Sequence, residues 1–288
     1  VLSLSGPSDA SLIDAGARRL GAHFDVRVDP RAYGRLGYLA GGDLARAQSL
    51  IDALNDPSIG VIFCARGGYG ITRILETQHT AISHALQRNP KTIVGFSDVT
   101  ALHALWYRHG VRSVHGPMVS KLGTDGAVSP DDFQALLDCL SGNTRPMRGL
   151  TTVQGGGARG PVVGGNLAMI TALLATPHQY PLDGAVLFLE DIGERPYRLD
   201  RMLTQLRSSG ALDGVVAVVL GQLSDCTAGP DGVTAEQVIH ERLSDLKIPV
   251  YCDAPFGHGS RAQSFAIGDI ATLDAAGELE FALADTVC

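Results

Sequence analysis

The chain has little with which to cross-link itself. Its five cysteines, Cys64, Cys139, Cys226, Cys252 and Cys288, are odd in number, scattered, and form no Cys-x-x-Cys pair. That spacing argues against a disulfide framework or a structural zinc site, and reads as reduced thiols in a cytoplasmic protein. Basic charge is also scarce: 23 Lys and Arg against 30 Asp and Glu leave a net charge of −7. Without a basic run there is no counterion-release energy to gain on DNA or RNA, so nucleic acid is not an expected partner. The longest apolar runs, such as GVVAVVLG at 214–221, fall well short of the roughly 20 residues that span a bilayer. The opening VLSLSGPSDA lacks the charged region and the longer apolar stretch of a signal peptide. No internal repeat and no low-complexity segment is visible.

What remains is an ordinary globular composition, 45% hydrophobic and 18% charged over 288 residues, enough for one large or two modest domains. The first half alternates short apolar runs with helical patterns. Helices are expected over 10–22 and 43–54, where apolar residues recur at helical spacing. GVIFCAR (60–66) reads as a strand ending in a Gly-rich turn, with a helix from about 70. TIVGFSD (92–98) repeats the plan and leads into a helix over VTALHALWYRHG. Strand, turn and helix in repetition predict a parallel α/β sheet of Rossmann-like type.

Around 141–165 Gly, Pro, Thr and Arg take over and no helical period survives, so this stretch reads as an interdomain connection. Beyond it the pattern gives a helix near 166–175, a strand over 184–191, a helix near 198–208, the strand VVAVVLG, a helix near 234–245 and the strand IPVYCDA. SFAIGDIATLD and GELEFAL finish the chain as a β-hairpin. The expected organisation is an N-terminal α/β domain over 1–143, a linker over 144–163, and a C-terminal mixed α/β domain with antiparallel strands over 164–288.

Five motifs carry possible chemistry. ARGGYG (65–70) follows a strand and precedes a helix, so its backbone N–H groups could approach an oxyanion; a plain tight turn would need the same glycines. It is not a P-loop, because the Lys-Ser/Thr ending is absent. GGGARG (155–160) lacks a strong apolar strand before it and a helix directly after it, which disfavours a dinucleotide loop. VGFSDVT (94–100) places Ser97 where a buried strand turns into a helix, with the Asp98 N–H free to meet an oxyanion. A helix N-cap is the competing reading, and Val99 stands where a hydrolase elbow has its last Gly. LEDIGE (189–194) puts Glu190, Asp191 and Glu194 at the mouth of a buried strand, where carboxylates are costly unless bonded or employed. No second acidic cluster and no nearby His suggests a metal set, and a solvated acidic turn is the simpler alternative. FGHGS (256–260) sets His258 between two glycines, as a loop that turns and presents a ring. Ser97, Glu190 and His258 each lie at or beyond the C-terminal end of a predicted strand, where open α/β sheets place ligands, and together they supply nucleophile, orienter and base.

In motif content and order the chain resembles the LD-carboxypeptidases, the murein tetrapeptide carboxypeptidase family of serine peptidases. The resemblance runs through SGPSDA, ARGGYG, VGFSDVT, HGPM (115–118), GGNLAMI (164–170), LEDIGERPYRLDRML (189–203) and FGHG (256–259). It implies Ser97 as nucleophile, His258 as base and Glu190 as the carboxylate that orients it, with an oxyanion hole from the N–H of Asp98 and of Gly68. It further implies a triad assembled between an N-terminal and a C-terminal domain, a homodimer, no cofactor and no metal. The implied substrate is a muropeptide tetrapeptide losing its C-terminal D-Ala. Tyr69, Glu194 and Arg195 are candidates for contact with it, and Arg66 and Arg198 are further candidates for its terminal carboxylate. Two rivals stand beside this reading: a microcin C immunity-type peptidase that cleaves a peptide-nucleotide conjugate, and a non-catalytic protein that grips an anion at Gly67 and Gly68.

Overall fold

The computed structural model describes residues 1–284. Cys288, one of the five cysteines read as reduced, lies outside the described residues; among the described residues Cys64, Cys139, Cys226 and Cys252 form no disulfide with one another. The first half builds a sheet from β1 (Val61–Phe63), β2 (Thr92–Gly95) and β3 (Ser113–His115), which pair in parallel. Parallel neighbours need crossovers, supplied here by α3 (Ile71–Arg88) and α4 (Thr100–Arg108). Before them come α1 (Ala10–Leu20) and α2 (Asp43–Asn55), and α2 buries Ala47, Leu50, Ala53 and Leu54 along one stripe at helical spacing. After β3 follow the short α5 (Val119–Leu122) and α6 (Pro130–Leu140), the latter started by Pro130 behind a Ser129 cap that accepts the Asp132 N–H at 3.0 Å.

The second half forms a seven-stranded sheet. Its parallel centre is β5 (Ala158–Asn166), β6 (Val186–Ile192), β7 (Ala217–Ser224) and β8 (Val250–Cys252), joined by α7 (Leu167–Leu173), α8 (Pro196–Ser208) and α9 (Ala235–Leu243). One edge carries β4 (Thr151–Gln154), antiparallel to β8; the other carries β10 (Ile270–Leu273) and β11 (Leu279–Ala282), an antiparallel hairpin. This is the expected α/β plan, a largely parallel N-terminal sheet followed by a mixed sheet with antiparallel strands.

Two features depart from the sequence reading. The stretch 144–163, read as a linker between domains, contains β4 and most of β5, both strands of the larger sheet. Composition misled because glycine there serves close approach: a Cβ on Gly160 would lie only 2.2 Å from the Gly184 carbonyl oxygen. The strand is instead held by its neighbours, β10 on one side and β6 on the other. Secondly, SFAIGDIATLD does not stay in one sheet. Its first part, β9 (Phe265–Ile267), pairs antiparallel with β3 and completes the N-terminal sheet, and the chain then passes through Gly268 and Asp269 into β10 of the larger one. The loop 253–264 therefore runs from β8 in one sheet to β9 in the other. His258 sits on that loop, at the junction of the two sheets.

Aromatic residues are few, yet they gather at this junction. Phe188, Phe256 and Phe265 contact one another at ring centroid distances of 4.7–5.4 Å. His115 stacks on Phe265 at 4.6 Å. These large buried rings weld the sheets behind the site. Trp106 is buried too, its indole N–H donating to the Lys91 carbonyl at 2.7 Å.

Candidate active site

The site begins with a main-chain constraint. β2 ends at Gly95, Phe96 is extended, and Ser97 turns at φ +63° before α4 begins. A β-carbon-bearing residue in the left-handed region is uncommon and strained, and such strain collects at functional positions. The turn lifts Ser97 off the end of the strand and packs it on Gly67, where an added Cβ would lie 3.0 Å from the Ser97 Cβ and 3.1 Å from its Oγ. Glycine is needed at Gly67 for that approach. The neighbouring Gly68, at φ +111°, is exposed on the same turn.

Asp98 joins the two turns. Its carboxylate is buried and accepts the Ile71 N–H at 3.1 Å, so it caps the first turn of α3 directly behind ARGGYG. Burial pushes the carboxyl up to about 6, against the Ile71 bond and the charge of Arg46, which pull it down. The opening SGPS segment supports the Gly-rich turn from the other side: the Gly6 N–H donates to the Gly67 carbonyl at 3.0 Å, and the Arg66 guanidinium donates to the Pro7 carbonyl at 2.6 Å.

Glu190 lies on β6 at a break in register between Leu189 and Asp191. Such a bulge re-aims a side chain. The Glu190 side chain is fully buried, and its Oε2 lies 2.6 Å from Nδ1 of His258. Oε1 has no partner among the described residues. The His258 ring is 15% exposed, so one edge remains within reach of a ligand. It also meets the Phe96 ring edge-on at 4.6 Å, which brings the imidazole beside the residue that precedes Ser97. The structure thus gathers the strained Ser97 turn, its Gly67 neighbour and the Glu190–His258 pair at one junction.

The loop carrying His258 is tied at both ends. Phe256 accepts the Gln222 N–H at 2.9 Å, and the Gln263 side chain donates to the Arg145 and Pro146 carbonyls at 3.0 and 3.2 Å. Lys121 reaches the middle of the loop from α5, a contact that no motif advertised.

Asp191 faces away from this chemistry. It accepts from the Asn166 side chain and from the Ala168 and Ile192 N–H groups at 2.8–2.9 Å, fixing the start of α7, and burial pushes it up to about 6. Glu194 pairs with Arg198 at 2.6 Å. Arg195 is exposed and donates to Thr227 and the Ala228 carbonyl at 3.3–3.4 Å. Tyr69 is exposed on the Gly-rich turn, its ring 6.0 Å from that of Tyr38. Tyr180 is buried, with its hydroxyl donating to the Gly164 carbonyl at 3.1 Å, so it presents no face to a ligand; Tyr197 is exposed. His103 and His115 are buried and structural. Burial pushes His103 down to about 4 and His115 well below its ordinary value, so both are neutral near pH 7. Among the described residues no His, Cys, Asp and Glu cluster could hold a metal. Among the described residues no helix is long and apolar enough to cross a membrane.

Two family models match the chain: the LD-carboxypeptidase N-terminal domain over residues 1–116 and the LD-carboxypeptidase C-terminal domain over residues 159–273. A Synechocystis sp. protein provisionally named a carboxypeptidase is 42% identical over 90% of this chain and 84% of its own. The murein tetrapeptide carboxypeptidase of Pseudomonas aeruginosa is 30% identical over 95% of this chain and 92% of its own. The crystal structure of muramoyltetrapeptide carboxypeptidase from Oxalobacter formigenes superposes with a TM-score of 0.87 at 28% identity, covering 99% of this chain and 98% of that one. The microcin C7 self-immunity protein MccF shares the fold, with a TM-score of 0.84 over 100% of this chain and 96% of its own, but at 20% identity.

Proposed function

The chain belongs to the LD-carboxypeptidase family, and on that footing we propose that it is a serine carboxypeptidase releasing a C-terminal D-amino acid from a murein peptide. The observation that carries the reading is the 2.6 Å contact between the buried Glu190 carboxylate and His258 Nδ1, set beside the strained Ser97 turn. A carboxylate on Nδ1 holds the neutral ring in the tautomer whose Nε2 is free to accept a proton.

In this mechanism His258 Nε2 takes the Ser97 hydroxyl proton as Oγ attacks the carbonyl of the L-configured residue. The negative charge that develops on that oxygen meets the N–H groups of Asp98 and Gly68, preorganised by the two turns. His258 then returns the proton to the departing D-Ala amine, and a water activated by the same ring hydrolyses the acyl-enzyme. Tyr69, Glu194 and Arg195 form the rim that receives the rest of the peptide, with Arg195 offered to the terminal carboxylate. No metal or cofactor takes part. The setting is cytoplasmic peptidoglycan recycling by a homodimer.

The murein reading is favoured over a peptide-nucleotide substrate by 30% identity to a murein tetrapeptide carboxypeptidase against 20% to MccF. Residues 141–165 also contain no Trp, Tyr or Phe to stack on a base, a contact worth roughly 1–3 kcal/mol. The test is a comparison of kcat/KM on a tetrapeptide ending in D-Ala and on an aminoacyl-nucleotide conjugate, for the native chain and for Ser97→Ala. D-Ala release by the native chain and none by the variant is expected. Preference for the nucleotide conjugate overturns the substrate, and full activity in Ser97→Ala overturns the serine mechanism.

A further inference from the structure

The loop that carries His258 has a glycine on each side of the ring and so has unusual main-chain freedom, with Gly257 at φ +122°. Even so, three successive carbonyls of this loop converge on one point. That point is the Lys121 ammonium, whose Nζ lies 3.4 Å from the Gly257 oxygen, 3.4 Å from that of His258 and 3.1 Å from that of Gly259. An ammonium group has three donors, one for each carbonyl. Without a cation between them, three carbonyl dipoles aimed at one spot repel, and the loop would relax into another conformation.

Lys121 is itself anchored on the nucleophile's side. α5, which bears it, donates its Val119 N–H to the Cys64 carbonyl at 3.1 Å and its Ser120 N–H to the Ala65 carbonyl at 2.9 Å. Those carbonyls lead directly into Arg66 and Gly67, the turn against which Ser97 packs. The ammonium also lies 5.5 Å from the centroid of the Phe96 ring, next to Ser97 in the chain. Burial lowers the proton affinity of Lys121, while the more distant Glu190 and Asp132 raise it. Its nearest polar contacts are loop carbonyls, not a carboxylate.

We infer that Lys121 is a positioning residue for His258: its ammonium clamps the Gly257–His258–Gly259 carbonyls and so fixes the imidazole relative to Ser97 across the junction of the two sheets. This rests on the proposed Ser97–His258–Glu190 mechanism. The clamp touches the main chain of the base and not the substrate, so its loss acts on the chemical step more than on binding.

The experiment measures kcat and KM for D-Ala release by the native chain, Ser97→Ala, Lys121→Met and Lys121→Ala, each checked for cooperative unfolding. Lys121→Met keeps an unbranched side chain of similar length and removes the charge and its donors. The expected result is a fall in kcat of about 10–100-fold, the scale for a displacement near 1 Å, with KM within about threefold. Added propylammonium is expected to restore at least fivefold of the loss in Lys121→Ala, a recovery that a purely structural lysine would not show. A native kcat in Lys121→Met, with Ser97→Ala inactive, overturns the clamp and leaves the triad standing. Native activity in Ser97→Ala instead overturns the triad, whatever Lys121 does. If Lys121→Met fails to unfold cooperatively, Lys121→Gln is read in its place, and a kcat within twofold of native there overturns the clamp.

Discussion

Substitution of Gly67 by alanine tests the active-site geometry with one added carbon. The new Cβ would stand 3.0 Å from the Ser97 Cβ, 3.1 Å from its Oγ and 3.4 Å from the Met118 Cε. Unbonded carbons rest at about 3.5–4.0 Å, so Ser97 would have to withdraw by roughly half an ångström, or the turn would have to yield. The turn is pinned: Gly67 accepts from Gly6, and Asp98 accepts from Ile71. Gly67 is not among the glycines with positive φ, so alanine fits its main chain and the clash is confined to the side chain of Ser97. Catalytic groups need placement to about 0.5 Å, and a displacement near 1 Å costs roughly a hundredfold. Gly67→Ala is therefore expected to lower kcat by about 10–100-fold, while overpacking costs about 1–3 kcal/mol of stability. The assay is D-Ala release at saturating tetrapeptide, beside a urea unfolding curve. A kcat within twofold of native in a folded variant would refute the claim that Ser97 reacts from this position.

Glu190→Gln keeps the shape of the side chain and removes the charged acceptor of His258. Its kcat is expected to fall roughly 10³–10⁴-fold, on the scale known for the equivalent change in other triads, and a loss under tenfold would show that the carboxylate does not orient the base. Asp98→Asn keeps an oxygen for the Ile71 N–H. Because the Asp98 carboxyl is held at about 6 in the fold against 3.8 when free, the native state binds the proton more tightly. Its ionisation then costs stability as pH rises from about 4 to 6, and the full cost persists above that. Relative to the native chain, Asp98→Asn should therefore gain on the order of 3 kcal/mol between pH 4 and pH 7, and a pH-independent difference in urea stability would contradict the burial argument. D-Ala release should be unchanged after incubation with EDTA; its loss would point to a metal that the proposed mechanism does not use.

Much of the local structure is written in the sequence. Apolar spacing places α2 within a residue of its observed bounds, and α3 and α8 within two residues at their starts, because a helix buries a stripe that a short window already shows. The ends of β2 and β6, and the glycines flanking His258, likewise mark Ser97, Glu190 and His258 as residues near or just past strand ends. Other features depend on partners far along the chain. β5 reads as linker because its glycines are explained only by Gly184, Phe188 and Thr100, which press against them. β9 is short, and nothing within it says that it pairs with β3, 150 residues earlier. That pairing carries the His258 loop across the junction of the sheets. Glu190 and His258 are 68 residues apart, and Lys121 is 137 residues from the carbonyl of His258. A lysine in a short helix carries no local mark of such a role, since its three acceptors are main-chain oxygens that any sequence supplies. Sequence alone determined which residue types stand at the strand ends; their distances, the burial that raises Asp98 and Asp191, and the ammonium beneath the His258 loop were decided by tertiary packing, because each arises where two sheets meet.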